Sequence, residues 1–186
     1  MLIYGKCSFR KLKKEDLERV LKWRNSDRVR ENMYTDRLIT LDEHQAWFER
    51  MEELQTSQHF IFEYCGIPLG IVNITQIDSY NQKCSWGFYI GEVTAPPKSG
   101  LAMGYFAINY IFEELNIRKI CAEAFAFNKA SICYHQRLGF ETEGIMREHV
   151  IKKQCFEDIM CFALFNNQWQ THKLSIYKES FGEKNA

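Results

Sequence analysis

No charge of either sign is in excess in this chain. Its 24 lysines and arginines are balanced by 24 aspartates and glutamates over 186 residues. Bulk charge therefore gives no footprint for nucleic acid or another polyanion, and any anion must be recognised locally. Long apolar runs are also missing. None approaches the ~20 residues that cross a bilayer, and Met1 to Lys6 has no leader-like apolar core, so no membrane partner and a cytoplasmic location are expected. The seven cysteines are odd in number and scattered, with no C-x-x-C pair. That argues against a disulfide framework or a zinc site, and predicts no metal and reduced, mostly buried thiols. No repeat, low-complexity tract or linker interrupts the chain. A single domain over residues 1–186 is expected, with a core at about 7–164 and a polar tail at 165–186.

What is present is a large apolar fraction, 46%, with 15% aromatics, ample for a packed core. Cys7 to Lys13 reads as a strand, and Leu17, Val20 and Leu21 keep helical spacing up to Trp23-Arg24-Asn25. Thr40-Leu41-Asp42-Glu43 has the form of a capping box. It opens a helix with Leu41, Trp47, Phe48, Met51 and Leu54 on its apolar side. His59 to Tyr64 and Leu69 to Asp78 flank Cys65-Gly66-Ile67-Pro68 as a hairpin. A strand from Lys83 to Glu92, a turn-rich loop and a helix from Leu101 to about Glu114 follow. Next come a strand from Lys119 to Ala126, a helix opened by Asn128 and ending at Leu138-Gly139-Phe140, and a hairpin of Glu141 to Val150 with Gln154 to Leu164. The tail from Asn166 reads as polar and partly helical. Short turns make neighbouring strands antiparallel, while the strand–helix–strand crossover makes a parallel pair. The expected class is α/β, or α+β, with a mixed sheet.

Some residues break these patterns. Lys98-Ser99-Gly100 gathers small residues, a lysine and helix-start N–H groups, which together bind phosphate; the same residues also make an ordinary turn. Glu123 interrupts a strand apolar on both faces, where a carboxylate needs a partner such as Arg137 or Lys129, or else serves as a base in a cleft. Tyr134, on one helix face with Ser131 and Leu138, is either core or catalyst. Asn73 within Ile71-Val72-Asn73-Ile74 is a buried amide in need of partners. Trp23-Arg24-Asn25 alone is a helix end with Asn25 as a left-handed cap, and His44 alone is a solvent-facing residue of a first helical turn.

Together, Lys98 to Phe112, Asn128-Lys129-Ala130-Ser131, Tyr134, Leu138-Gly139-Phe140, Glu143-Gly144 and Asp158 resemble the GNAT superfamily of acetyl-CoA-dependent N-acetyltransferases over about residues 7–164. The resemblance implies a central mixed, mostly antiparallel sheet flanked by helices, with acetyl-CoA as co-substrate. Gly100 and Ala102 fit the family's phosphate-loop pattern, but Pro97 stands at its Arg/Gln position, leaving the phosphates to backbone N–H groups and Lys98. Leu21-Lys22-Trp23-Arg24-Asn25, Glu31-Asn32-Met33-Tyr34 and Thr40 to Phe48 are similar to the N-acetyltransferases of pseudaminic acid biosynthesis. Those enzymes acetylate the 4-amino group of a UDP-linked amino-dideoxy sugar.

From this resemblance the pantetheine is expected along Tyr89 and Ile90, in a V-shaped opening between two strands. The pyrophosphate is expected on Ser99, Gly100, Leu101, Ala102 and Met103, with Asn128 and Ser131 on the cofactor's far side. Acyl transfer to an amine needs a neutral nucleophile, support for the oxyanion and a proton for the thiolate. Glu123 is expected to take the amine proton, through a water, and Tyr134 to serve the departing sulfur. No acyl-enzyme is implied, so no cysteine need be catalytic. For the UDP-amino-sugar partner, Trp23 and Trp86 are expected to stack on the base, Arg24 and His44 to meet the diphosphate, and Asn73 to contact the sugar. A homodimer is compatible with the resemblance. Two competitors are another acceptor, a protein N-terminus or a polyamine, and a non-catalytic acyl-CoA-binding module. Arg24, Arg28 and Arg30 in the acceptor region favour an anionic acceptor. A salt-bridged Glu123 with Tyr134 away from the thioester favours the module.

Overall fold

The computed structural model describes residues 1–183. Its strands are β1 (Cys7–Lys11), β2 (Gln58–Tyr64), β3 (Ile67–Asp78), β4 (Lys83–Ile90), β5 (Lys119–Phe125), β6 (Glu141–Lys152) and β7 (Cys155–Phe165). The helices are α1 (Leu17–Asn25), α2 (Asp27–Arg30), α3 (Leu41–Glu53), α4 (Ser99–Asn109), α5 (Lys129–Arg137) and α6 (Asn166–Phe181). The strands form one sheet ordered β1-β2-β3-β4-β5-β7-β6. Only β4 and β5 run parallel; every other neighbouring pair is antiparallel.

Local chemistry accounts for the elements that position the site. The β2–β3 turn takes Cys65 and Gly66 at φ 53 and 74, the paired positive dihedrals that suit a two-residue hairpin. At the start of α3 the capping box closes in both directions: Glu43 N–H donates to Thr40 Oγ1 at 3.2 Å, and Thr40 N–H to Glu43 Oε2 at 2.9 Å. Alternation in Phe60-Ile61-Phe62 splits the core in two. Phe60 and Phe62 join Val72, Ile74, Trp86 and Ala122 beneath α4 and α6. Ile61 and Ile71 face the other way, against Leu17, Val20, Trp23 and Phe48 of α1 and α3.

Several expectations are corrected. The polar tail is α6, with Trp169, Ile176, Tyr177 and Ser180 buried and Trp169 Nε1 donating to Asn109 Oδ1 at 2.8 Å. Its buried positions fall at i, i+7, i+8 and i+11, a helical stripe hidden among polar residues. On α3 the buried residues are His44 and Phe48, whereas Leu41 and Leu54 are exposed. Asn25 is the last residue of α1 rather than a left-handed cap, and the following Ser26 is extended. The cysteines are free, as expected, but only Cys84 is buried; Cys65, Cys133 and Cys155 are exposed. Among the described residues no helix is long and apolar enough to cross a membrane.

Gly91, just past β4, lies against the face of Trp23. A Cβ there would fall 2.1 Å from Trp23 Cδ2, inside the second core cluster. Gly91→Ala should therefore destabilise the fold by about 1–3 kcal/mol through overpacking. At roughly 2–4 °C per kcal/mol for a chain of this size, thermal denaturation should read a fall of several degrees. An unchanged melting temperature would mean that α1 can shift away freely.

Candidate functional site

β4 and β5 hydrogen-bond only where Lys83, Cys84 and Ser85 face Lys119, Ile120 and Cys121. Beyond that short ladder the strands part, and a cavity of about 780 Å³ opens between them. Its lining includes Asn73, Trp86, Tyr89, Ile90, Gly100, Met103, Glu123, Asn128, Ser131 and Tyr134. The edge of β4 from Trp86 onward has no strand beside it, which suits an extended chain bearing amides.

At one mouth of the cleft, a hollow of about 340 Å³ lies over the start of α4, lined by Arg28, Ile90, Lys98, Ser99 and Gly100 and by one carboxylate, Glu92, which Thr94 already engages. Ser99 N–H donates to Pro96 O and Ala102 N–H to Lys98 O. Gly100 and Leu101 hold the remaining N–H groups that a helix start leaves without an intrahelical acceptor. The lysine expected to bind phosphate does not face the hollow through its ammonium: Lys98 Nζ donates to Glu179 O at 2.7 Å. Arg28 supplies the guanidinium instead, arriving from α2 and anchored by Nη2 to Gly91 O at 2.9 Å. Leu101 and Ala102 are buried, and Ala102 N–H is taken by Lys98 O, so of the two only the Leu101 N–H is left for a phosphate, and Ala102 is not brought to it as expected.

Glu123 was expected inside a doubly covered strand. It is exposed, because the departure of β4 from β5 uncovers this position. Its partner is neither Arg137, which pairs with Glu179, nor Lys129. Tyr34 donates its hydroxyl to Glu123 Oε2 at 2.5 Å from 89 residues away in sequence. Burial, then that hydrogen bond, pushes the Tyr34 phenol well above its ordinary range.

Across the cleft, Tyr134 donates to Gly100 O at 2.7 Å, its ring 4.5 Å from that of Phe88. Gly104 makes room for it, since a Cβ there would meet the hydroxyl at 2.6 Å. Burial raises the Tyr134 phenol far above its usual value, with a backbone hydrogen bond from Gly104 opposing. This side chain stays protonated, as a donor must. Asn128 Oδ1 caps α5 by accepting from Ser131 N–H at 3.0 Å, so its oxygen is committed locally.

A second pocket of about 460 Å³ adjoins the cleft, and Met33, Asn73 and Tyr89 line both. Arg24, Arg37, Glu43, His44, Trp47 and Arg50 line it further. Arg37 holds Glu43 through two bonds of 2.6 and 2.9 Å. Arg24 Nη2 donates to Thr35 O at 2.6 Å, but Arg24 Nη1 and His44 Nε2 are buried with no protein partner. Burial lowers the pKa of His44, whose ring stacks on Trp47 at 5.1 Å. The expectation of a solvent-facing His44 fails because α3 turns this face onto α1. His59 Nδ1 lies 2.7 Å from Asn73 Oδ1. Because that oxygen only accepts, the ring donates and the Asn73 amide nitrogen remains for the cavity.

Trp23 is not brought to the site. It is 5% exposed in the core beneath Gly91, so it cannot stack on a base. Trp86 is 5% exposed and stacks on Phe140 at 5.3 Å; its face is taken, although its Nε1 is buried without a partner. Arg30 binds Asp36 O and Asp27 and is structural. Sequence reasoning missed Tyr34, Arg37 and Arg50 as site residues, since no local period marks side chains that meet only across elements. Among the described residues no group of three His, Cys, Asp or Glu side chains is placed to hold a metal.

The family model for the acetyltransferase (GNAT) domain matches residues 9–161. The chain is 25% identical over 126 residues to the SPbeta prophage-derived uncharacterized N-acetyltransferase YokL of Bacillus subtilis, covering 67% of this chain and 70% of that protein. Acetyltransferase PseH of Campylobacter jejuni is 22% identical over 135 residues, 72% of this chain and 82% of that protein. The crystal structure of spermidine N-acetyltransferase from Vibrio cholerae in complex with CoA and spermine superposes with a TM-score of 0.84. It is 16% identical, and the match covers 89% of this chain and 99% of that one. At that identity the likeness is one of fold.

Proposed function

The chain belongs to the GNAT acetyltransferase family, whose members take their acetyl group from acetyl-CoA, and on that premise we propose that it acetylates the 4-amino group of a UDP-linked amino-dideoxy sugar. The observation that carries this acceptor is the second pocket. Three guanidinium groups (Arg24, Arg37, Arg50) line it against one carboxylate, Glu43, and that carboxylate is already held by Arg37. Arg24 Nη1 has no protein partner there, and an unpaired buried charge is costly until an anion meets it. A diphosphate is such an anion. The similarity of Leu21 to Asn25 and of Thr40 to Phe48 to the N-acetyltransferases of pseudaminic acid biosynthesis supports the same choice.

A polyamine, the acceptor named for the Vibrio cholerae neighbour, would place two or more cations among these guanidiniums. Like charges in a half-enclosed pocket repel, so this acceptor is disfavoured.

The cleft between β4 and β5 fits the co-substrate. Its unpaired β4 edge suits pantetheine amides. The hollow at Gly100, with Arg28, suits the pyrophosphate through helix-start N–H groups, helix dipole and guanidinium. Acetyl-CoA supplies the acetyl group as a thioester. Glu123, exposed in the cleft, accepts the amine proton directly or through a water, while Tyr134 offers its hydroxyl to the departing sulfur. An amine beside oxygen-bearing carbons is less basic than lysine, with a pKa nearer ~8, so a carboxylate base suffices.

Incubation with acetyl-CoA and a panel of 4-amino UDP-sugars, spermidine and a peptide, read by mass, tests the acceptor. Acetylation of a 4-amino UDP-sugar alone is expected. Preferential acetylation of spermidine would overturn the reading.

A further inference from the structure

We propose that Tyr34 is a positioning residue for Glu123: its hydroxyl holds one carboxylate oxygen so that the other meets the acceptor amine. The inference rests on the reading of Glu123 as the base. Tyr34 comes from the segment between α2 and α3, yet its hydroxyl reaches Glu123 Oε2 at 2.5 Å and its ring lies 5.4 Å from that of Phe125. Glu123 Oε1 has no protein partner among the described residues. A carboxylate at the end of a flexible side chain samples several rotamers, and a hydrogen bond from a fixed donor selects one.

The donor is fixed because its own backbone is pinned on both sides. Lys152 Nζ donates to Met33 O at 2.8 Å, and its side chain is 5% exposed over the Phe125 ring. Arg24 Nη2 holds Thr35 O, and Arg30 Nη1 holds Asp36 O at 2.5 Å. Three carbonyls around Tyr34 are thus each tied by a cation. One of those cations, Arg24, also faces the second pocket, so the group that meets the anion and the group that sets the base share one strut.

In the reaction the amine nitrogen bonds to the thioester carbon, the carbon–sulfur bond breaks, and the amine proton passes to Glu123 Oε1. Tyr34 keeps its own proton throughout. Its role is geometric and needs no co-reactant beyond acetyl-CoA and the amine.

The test is a double-mutant cycle of Tyr34→Phe and Glu123→Gln, read with UDP-4-amino-4,6-dideoxy-N-acetyl-β-L-altrosamine as acceptor and, independently, by melting temperature. Tyr34→Phe should lower kcat about tenfold, in line with loss of a hydrogen bond to a charged group, with the KM for acetyl-CoA unchanged. On the Glu123→Gln background it should cost kcat nothing further; for the melting temperature Glu123→Ala is used instead, since it removes the acceptor, and there the two small losses should fail to add. Additive effects, or a raised acceptor KM at unchanged kcat, would show Tyr34 to be lining only and overturn the inference. Wild-type turnover in Glu123→Gln would remove the base itself, and this inference with it. An inactive Glu123→Gln beside a normal Tyr34→Phe overturns the inference and leaves the base standing.

Discussion

Tyr134→Phe is expected to lower kcat about a hundredfold, within the usual range for a lost proton donor, while the fold survives. The ring still fills its place against Phe88, and no volume is lost in the core. What goes is one hydroxyl, which in the resting protein donates to Gly100 O. That bond costs about 1 kcal/mol when removed, so a drop of a few degrees in melting temperature is the ceiling. On the proposed function the hydroxyl is expected to turn from the carbonyl to the departing sulfur in turnover. Burial holds the phenol far above its usual pKa and a thiol titrates near ~8.5, so complete proton transfer to the thiolate is uphill. On the proposed function Tyr134 is therefore expected to act mainly by hydrogen-bonding the developing charge, and a residual rate is expected because thiolate leaves readily unaided. Pre-steady-state measurement of the chemical step decides it. An unchanged step would make Tyr134 a core residue whose hydroxyl serves only Gly100.

Arg24→Ala should raise the KM for the nucleotide-sugar acceptor roughly 10- to 150-fold, equivalent to about 1.5–3 kcal/mol for a charge-assisted contact. The KM for acetyl-CoA should be nearly unchanged, since the hollow at Gly100 is lined by Arg28 and not by Arg24. A second effect is built in. Arg24 also ties Thr35 O, so kcat should fall modestly as the Tyr34 segment loosens. Arg24→Lys keeps the charge but loses the planar fork and should restore only part of the acceptor affinity. Identical acceptor kinetics in wild type and Arg24→Ala would return Arg24 to a structural role and take the diphosphate out of this pocket.

The elements were legible because their signals are local. The Thr40 to Glu43 capping box and the hairpin around Cys65-Gly66-Ile67-Pro68 are each written within a few positions, and both form, the turn itself narrowing to Cys65 and Gly66. The small residues that open α4 and the Asn128 cap of α5 were found in the same way, and Gly100 and Asn128 both line the cleft. The C-terminal segment is helical from Asn166, as its reading had it in part, but its packing was missed because its few buried residues are diluted among polar ones. A sparse stripe is visible only once α4 stands beside it.

What residues 1–183 decide by themselves is thus which segments become strands and helices and that one parallel pair interrupts an antiparallel sheet, since backbone dihedrals and side-chain period follow from neighbours in sequence. Which side chains face the reaction belongs to tertiary structure. The parting of β4 from β5 uncovers Glu123, the approach of Gly91 buries Trp23, and a carbonyl of α6 draws Lys98 away so that Arg28 replaces it. Tyr34 meets Glu123 across 89 residues. No local period can encode such a meeting, because its position is fixed by the register of one sheet and the cations that pin one loop.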